Sequence, residues 1–230
     1  MKRTWIYVRA FGVVLACCWV AYCSGQVPFV LNDTTFLQRD TAGGHYHAVH
    51  ILEAGDRAAD QLPSLNAESE ALIAAQLLDL RGTLAAKCPA ERPPLAELWV
   101  PVYPFAGKLY RYSPCDRMYD HAVWLREGYA VEALEGPEVS LIRIVAATDS
   151  ACEMRWFSIM DPKGMQVVVR PIGPGLGAAL WTFGSEQPLF RLMVPAENAN
   201  LLPTIVNHCP ERKWMEFQFD RIDPAKFLSP

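Results

Sequence analysis

The chain has 230 residues, of which 51% are hydrophobic and 20% are charged. This composition is typical of a globular protein and excludes a disordered one. The formal net charge is −4, and lysine and arginine form no dense cluster anywhere along the chain. Because the phosphates of nucleic acids bind concentrated positive charge, we predict no nucleic-acid partner.

An export signal is predicted at residues 1–25. Lys2, Arg3 and Arg9 lead into an apolar run over residues 10–21, and small residues follow it. This order of basic, apolar and small segments is that of a secretory signal. We therefore predict an extracytoplasmic location, either periplasmic, secreted or lipid-anchored at a membrane surface. Without the signal, 18 basic residues remain against 25 acidic ones, a net charge of −7.

The end of this signal leaves alternatives open. Cleavage after Gly25 would release a soluble protein. Residues 14–17, Val-Leu-Ala-Cys, resemble a bacterial lipobox, which would make Cys17 the lipidated N-terminus of the mature protein. An uncleaved anchor is the third alternative, although the apolar run is short for a membrane span. We favour cleavage, place lipidation second, and expect membrane contact only through the signal or a lipid anchor.

Four cysteines remain after the signal, and we interpret them as disulfide candidates. They are Cys88, Cys115, Cys152 and Cys209. Outside the cytoplasm, four cysteines suggest up to two disulfides with three possible pairings. Free thiols are the second interpretation. A metal site is the third, because no Cys-x-x-Cys pair occurs.

Residues 26–230 are predicted to form a single globular domain, whose clearest element is a helix over 64–87. Ser64 or Asn66 can cap its start, and acidic residues favour the positive end of the helix dipole. One stripe of apolar side chains falls at helical spacing: Leu72, Ile73, Leu77, Leu80 and Leu84.

From residue 98 to 220 the sequence changes to short β-type runs at intervals of about ten residues. A short helical insert is predicted at 195–209, before a last strand at 214–219. Short turns favour antiparallel neighbours. A sheet with this many strands must also protect the unpaired backbone groups at its two edges. The predicted fold class is therefore α+β and mainly β. It is an N-terminal helix followed by an antiparallel meander that forms a barrel or a strongly rolled sheet.

The start of this meander resembles the lipocalin pattern. Residues 105–110, Phe-Ala-Gly-Lys-Leu-Tyr, are similar to the Gly-x-Trp segment that opens that pattern, with Leu109 in the place of the tryptophan. The resemblance covers about half of the chain and implies a calycin-type barrel that encloses an apolar ligand. Residues 110–116 and 134–138 also resemble segments of uncharacterised exported bacterial proteins, which implies no activity.

The aromatic residues of the predicted strands are candidates for ligand binding. The chain has seven tryptophans, eight tyrosines and ten phenylalanines. Such side chains either line a cavity or fill the core, and filling the core is the commoner role. The ligand-binding candidates are Tyr110, Tyr112, Trp124, Trp156 and Trp181.

Three of the five histidines lie within six positions and are metal candidates. On a short strand over 45–51, His45 and His47 would point to one face and His50 to the other. A nearby carboxylate would complete a zinc site. The alternative is a set of surface histidines on a loop or an edge strand.

A polar cluster near residue 120 is the candidate for catalysis. Asp116 or Asp120 with His121 would form an acid–base pair, and Cys115 with a histidine would form a nucleophile pair. A disulfide at Cys115 is the interpretation we favour. The glycines at 173–177 have the wrong spacing for a phosphate loop, so we predict a hairpin loop there, no cofactor and no assigned catalytic residue.

Three functions follow from these patterns. The first is an exported non-enzymatic β-rich domain that binds an apolar small molecule or a partner such as an envelope protein. The second is an extracytoplasmic metal-dependent hydrolase that uses His45, His47 and His50. The third is an envelope interaction module anchored by a lipid at Cys17.

Overall fold

The computed structural model describes residues 28–31, 34–40, 47–55, 62–84, 88, 90–115, 121–133, 136–173, 175–209 and 216–228. The predicted export signal, the lipidation candidate Cys17 and the metal candidate His45 lie outside these residues. None of the helices in the described ranges combines the length and the hydrophobicity that crossing a bilayer requires.

The described residues form thirteen strands and three helices. The strands are β1 (Phe29–Leu31), β2 (Thr34–Asp40), β3 (His47–Leu52), β4 (Leu98–Phe105), β5 (Lys108–Ser113), β6 (Val123–Arg126), β7 (Tyr129–Ala133), β8 (Pro137–Ala147), β9 (Cys152–Phe157), β10 (Met165–Pro171), β11 (Ala179–Phe183), β12 (Leu189–Pro195) and β13 (Thr204–His208). The helices are α1 (Ala67–Leu84), α2 (Ala196–Ala199) and α3 (Pro224–Leu228). The mainly β composition predicted from the sequence is confirmed.

Eight of the strands close into an antiparallel barrel in the order β4-β12-β11-β10-β9-β8-β7-β6. Strand β6 returns to β4 through the pairs Leu98–Trp124 and Trp99–Val123. Closure removes the free edges that a flat sheet would expose. Of the two predicted arrangements, a barrel and a rolled sheet, the barrel is therefore the one that forms.

Two-residue turns set the register of two hairpins. Between β4 and β5, Ala106 and Gly107 have φ values of 49° and 77°. Between β6 and β7, Gly128 has a φ of 79°. Positive φ at both central residues, as in the Ala106–Gly107 turn, matches the right-handed twist of the strands that the turn joins. The turn residues thus align each pair of strands and decide which side chains face inward.

Alternate side chains of the eight strands fill the interior of the barrel. Trp181 packs edge to face against Trp99 and Trp156, with ring centroids 5.5 Å and 6.1 Å apart. Trp181 and Met154 are both 0% exposed. The interior is therefore a core of closely packed side chains. Its other buried members are Val123, Leu125, Ala130, Ile142, Cys152, Val167, Val169, Ala179, Phe183 and Met193.

Helices cover two parts of the outer wall. Helix α1 packs Ile73, Leu80 and Leu84 on the outward side chains of β6, β7 and β8. On the other side, Ala199 of α2 and Phe227 of α3 belong to the cluster that covers β4, β11 and β12. Between these two clusters, the outer wall of β8, β9 and β10 carries Arg143, Arg155 and Gln166 together with exposed Val145.

Helix α1 lies within the predicted range 64–87, and its start is capped as expected. The backbone N–H of Ser69 donates to Asn66 Oδ1 over 2.8 Å. The helix was predicted to be the first element of the domain, and this position is wrong, because strands β1, β2 and β3 precede α1. The apolar stripe is also narrower than predicted, because Leu72 is 49% exposed.

A lateral sheet branches from the barrel in the order β1-β2-β3-β13-β5. It joins the barrel where β5 pairs with the end of β4, as at Tyr103–Tyr110. Strand β13 pairs with β3 antiparallel and with β5 parallel. The last strand is therefore Thr204–His208, inside the segment predicted as helical. The strand predicted at 214–219 is not found over its described residues, 216–219.

The packed interior generates a stability prediction. Met154→Ala should lower the free energy of unfolding by about 2–5 kcal/mol, because it leaves a cavity that the closed barrel fills poorly. Leu78→Ala, at a position that is 78% exposed on α1, is the control and should cost less than about 0.5 kcal/mol. Urea denaturation followed by tryptophan fluorescence measures both. Equal losses for the two variants would contradict a packed interior.

Candidate functional site

The five aromatic ligand candidates are divided among three environments. Trp156 and Trp181 lie inside the barrel, and Trp124 lies outside it under α1. Tyr110 and Tyr112 pack in the lateral sheet. Successive strand residues point to opposite faces, so candidates chosen by residue type alone are separated by the wall of the barrel. The structure thus brings the candidates together as two separate pairs, Trp156 with Trp181 in the barrel core and Tyr110 with Tyr112 in the lateral sheet.

The two described histidines of the metal candidate occupy opposite faces of β3. His47 is buried, and its Nε2 lies 2.8 Å from Asn207 Oδ1. His50 lies on the other face, where burial, and secondarily His208, lowers its pKa. The described residues contain no group of three histidine, cysteine or acidic side chains that would hold a metal ion.

Asn207 and Glu216 connect His47 to the end of the chain. Asn207 Nδ2 donates to the hydroxyl of Tyr112 and to Glu216 Oε2, each over 3.1 Å. Asn207 Oδ1 is therefore left as the acceptor, so His47 carries its proton on Nε2. The hydroxyl of Tyr112 donates to Glu216 Oε2 and accepts the backbone N–H of Phe217 over 2.9 Å. Burial, and then the carboxylate of Glu216, raises the pKa of Tyr112.

A disulfide closes the same corner of the molecule. Cys115 and Cys209 are bonded, with their Cα atoms 5.8 Å apart. The disulfide prediction is confirmed for this pair, and it removes Cys115 from the nucleophile pairs. Cys88 and Cys152 remain thiols in the structure. They lie on opposite sides of the barrel wall, because Cys152 faces the interior and Cys88 packs near α1.

We expect the disulfide to contribute strongly to stability, because it joins residues 94 positions apart. The double variant Cys115→Ser/Cys209→Ser should lose about 2–5 kcal/mol of unfolding free energy, whereas Cys88→Ala should lose about 1 kcal/mol. Peptide mapping after alkylation without reductant should label Cys88 and Cys152. A peptide that links those two cysteines would contradict the pairing.

A charged cluster closes one end of the barrel. Glu132 on β7 and Arg191 on β12 are ion-paired, and both point into the barrel. His121 Nδ1 lies 3.5 Å from Glu132 Oε1. The guanidinium of Arg191 lies 4.8 Å from the centroid of the Phe183 ring. Sequence patterns pair His121 with Asp116 or Asp120, which lie outside the described residues, and do not indicate Glu132 as its partner.

The charges of this cluster compensate one another. Burial by itself would raise the pKa of Glu132, but His121 and Arg191 outweigh it and the pKa lies below its ordinary value. The carboxylate therefore stays ionised beside the arginine at neutral pH. Such a cluster can seal an apolar interior against water, because its charges satisfy one another.

Acid should weaken the fold through Glu132. Since its folded pKa is lowered, its contribution is fully present above the ordinary value of 4.5 and is lost as the pH falls through the folded pKa. Glu132→Gln should lose about 1–3 kcal/mol of unfolding free energy at pH 7 and show a flatter decline below pH 5. Urea denaturation across this range measures the effect, with the exposed Glu138→Gln as control. Parallel pH curves for the wild type and Glu132→Gln would contradict the assignment.

An open groove lies beside this end of the barrel. Its volume is about 340 Å³, and it lies between the β9–β10 turn and the β11–β12 turn. Arg155 and Gln166 line its wall, and Glu186 lines its rim. Gly164 is required in the first turn, because a Cβ there would lie 2.6 Å from Cε1 of Phe157.

Two arginines stand next to this groove on the outer wall. Arg143 of β8 and Arg155 of β9 are direct cross-strand partners. The guanidinium of Arg143 lies 5.5 Å from the centroid of the Phe157 ring. Sequence patterns do not predict this pair, since the two residues belong to different β-type runs and only the register places them together. A charged residue in the middle of each run was the available signal.

No protein-family model, curated protein or solved structure matches this chain.

Proposed function

We propose that this protein is an exported non-enzymatic binding module whose partner contacts the outside of the barrel. The packing of Trp99, Trp156 and Trp181 in the interior is the observation that supports this proposal most directly. A barrel that stores a small apolar ligand needs an unfilled cavity of several hundred Å³. Here the same space is occupied by the protein's own side chains, so recognition is assigned to the outer wall and to the rim.

The resemblance to lipocalins supports a barrel architecture, but we assign binding to the outside of this barrel and not to its interior. Eight antiparallel strands close the barrel, as that resemblance implies. A solid barrel is a rigid scaffold on which turns and wall residues keep fixed positions. We therefore assign binding to the surface next to the groove, where polar and apolar groups are both accessible.

The proposed location is outside the cytoplasm. The basic, apolar and small segments of residues 1–25 support export. The Cys115–Cys209 disulfide is compatible with an oxidising compartment. Cleavage after Gly25 is the proposed end of the signal, with lipidation at Cys17 as the second proposal. Both keep the barrel on the outer side of the membrane that the protein crosses.

A ligand-capture experiment tests this function. The protein purified from the exported fraction should carry no small molecule in native mass spectrometry, and benzene should not raise its melting temperature. Met154→Ala is the matched positive control, because an apolar cavity of this kind accepts small aromatic molecules. A stoichiometric apolar ligand in the wild-type protein would overturn the proposal.

A further inference from the structure

The arginine pair belongs to a larger surface at the same end of the barrel. We define the arginine face as Arg143 and Arg155, and the apolar tip as Ile159 and Met160 in the turn that follows β9. The side chains of the tip are 58% and 92% exposed, respectively. This combination of basic and apolar groups occurs on the part of the wall that neither helical cluster covers.

The two arginines are placed side by side, and no described acidic side chain forms an ion pair with either of them. Like charges directly opposite each other on neighbouring strands repel. Within the described part of the chain, neither Arg143 nor Arg155 makes an ion pair or a side-chain hydrogen bond. Their guanidinium groups are planar forks that bind phosphate oxygens through two parallel hydrogen bonds. The pair is therefore suited to a phosphate group that would relieve the repulsion.

The nearby acidic side chains have other hydrogen bonds. Glu153 Oε1 accepts from Gln166 Nε2 over 2.7 Å. Asp161 Oδ1 accepts the backbone N–H of Gly164 over 3.2 Å. Glu186 is exposed on the facing turn. These groups cancel much of the long-range positive potential, so binding must come from close contacts with the guanidinium groups.

Hydrogen bonds hold the turn that carries the apolar tip. Ser158 Oγ accepts the backbone N–H of Asp161 over 3.0 Å. The backbone N–H of Ser158 donates in turn to the carbonyl of Asp161 over 3.3 Å. The turn thus presents Ile159 and Met160 outward on a backbone held by hydrogen bonds, so little backbone entropy is lost when a partner buries them.

We propose that this end of the barrel docks on a phospholipid surface. The guanidinium groups of Arg143 and Arg155 bind headgroup phosphates, while Ile159 and Met160 enter the boundary between headgroups and acyl chains. A membrane is favoured over an acidic protein because Met160, the most exposed large apolar side chain among the described residues, stands at the tip of a turn. Exposed Lys163 in the same turn adds a further cation at headgroup depth. This inference rests on the proposed function, since it names the partner of the outer surface.

Vesicle flotation tests the docking surface. The protein from the soluble exported fraction is mixed with vesicles of equimolar phosphatidylcholine and phosphatidylglycerol. Arg143→Gln/Arg155→Gln and Ile159→Ser/Met160→Ser should each lower the partition coefficient about tenfold or more. High salt should weaken binding of the wild type more than binding of the arginine variant.

Matched variants on other surfaces control for charge and hydrophobicity. Arg81→Gln/Arg221→Gln and Leu72→Ser/Leu78→Ser should leave partitioning within about threefold of wild type. No flotation of the wild type, or equal loss in the control variants, would overturn the inference. Binding to polyglutamate that depends on the arginines but not on the tip would overturn it in favour of an acidic protein. These outcomes concern only the outer surface, whereas the proposed function fails if a ligand is found inside the barrel. The two failures can therefore be distinguished.

Discussion

The pairing of β4 with β6 is the constraint on which the rest of the structure depends. Through Leu98–Trp124 and Trp99–Val123 it converts a row of eight strands into a closed barrel. Closure turns one face of every strand inward, and Trp99 packs there against Trp181, which lies two strands away through β12. It also leaves the second half of β4 without β6, and β5 pairs there and starts the lateral sheet. The same few hydrogen-bonded pairs thus determine both the core and the branch.

Because the barrel interior is filled with apolar side chains, the charged side chains of the barrel lie at its ends and on its outer wall. Large aromatic and aliphatic side chains are an efficient way to stabilise a small barrel, because each buries a large apolar area. Charged groups are then confined to positions where they satisfy one another or meet water. At the end of the barrel, Glu132 and Arg191 form an ion pair with each other. On the outer wall, Arg143 and Arg155 are in contact with water. The two arrangements differ in one respect that matters for binding, which is whether a counter-ion is built in.

The lateral sheet is held by polar contacts and by a covalent bond as well as by apolar packing. The disulfide joins the end of β5 to the end of β13, and Glu216 accepts hydrogen bonds from Tyr112 and Asn207 beside it. Phe219 stacks on Tyr103 with ring centroids 4.6 Å apart. Buried His47 therefore has a role in this network, which explains a histidine in a strand without any metal. A pattern of histidines in sequence does not separate these two uses, because both need a polar partner that comes from elsewhere in the chain.

Local patterns by themselves determined the mainly β composition, the helix around residues 67–84, most of the barrel strands and the candidate cysteines. These features depend on neighbours within a few residues, through side-chain alternation, helical spacing and turn glycines. Only the tertiary structure decided that β13 lies within a segment with helical signals, that Cys115 bonds to Cys209, and that Glu132 meets Arg191. It also decided that the tryptophans fill the barrel and that Arg143 stands beside Arg155. Each of these depends on strand register and barrel closure, which bring together residues far apart in the chain, and no local pattern carries that information.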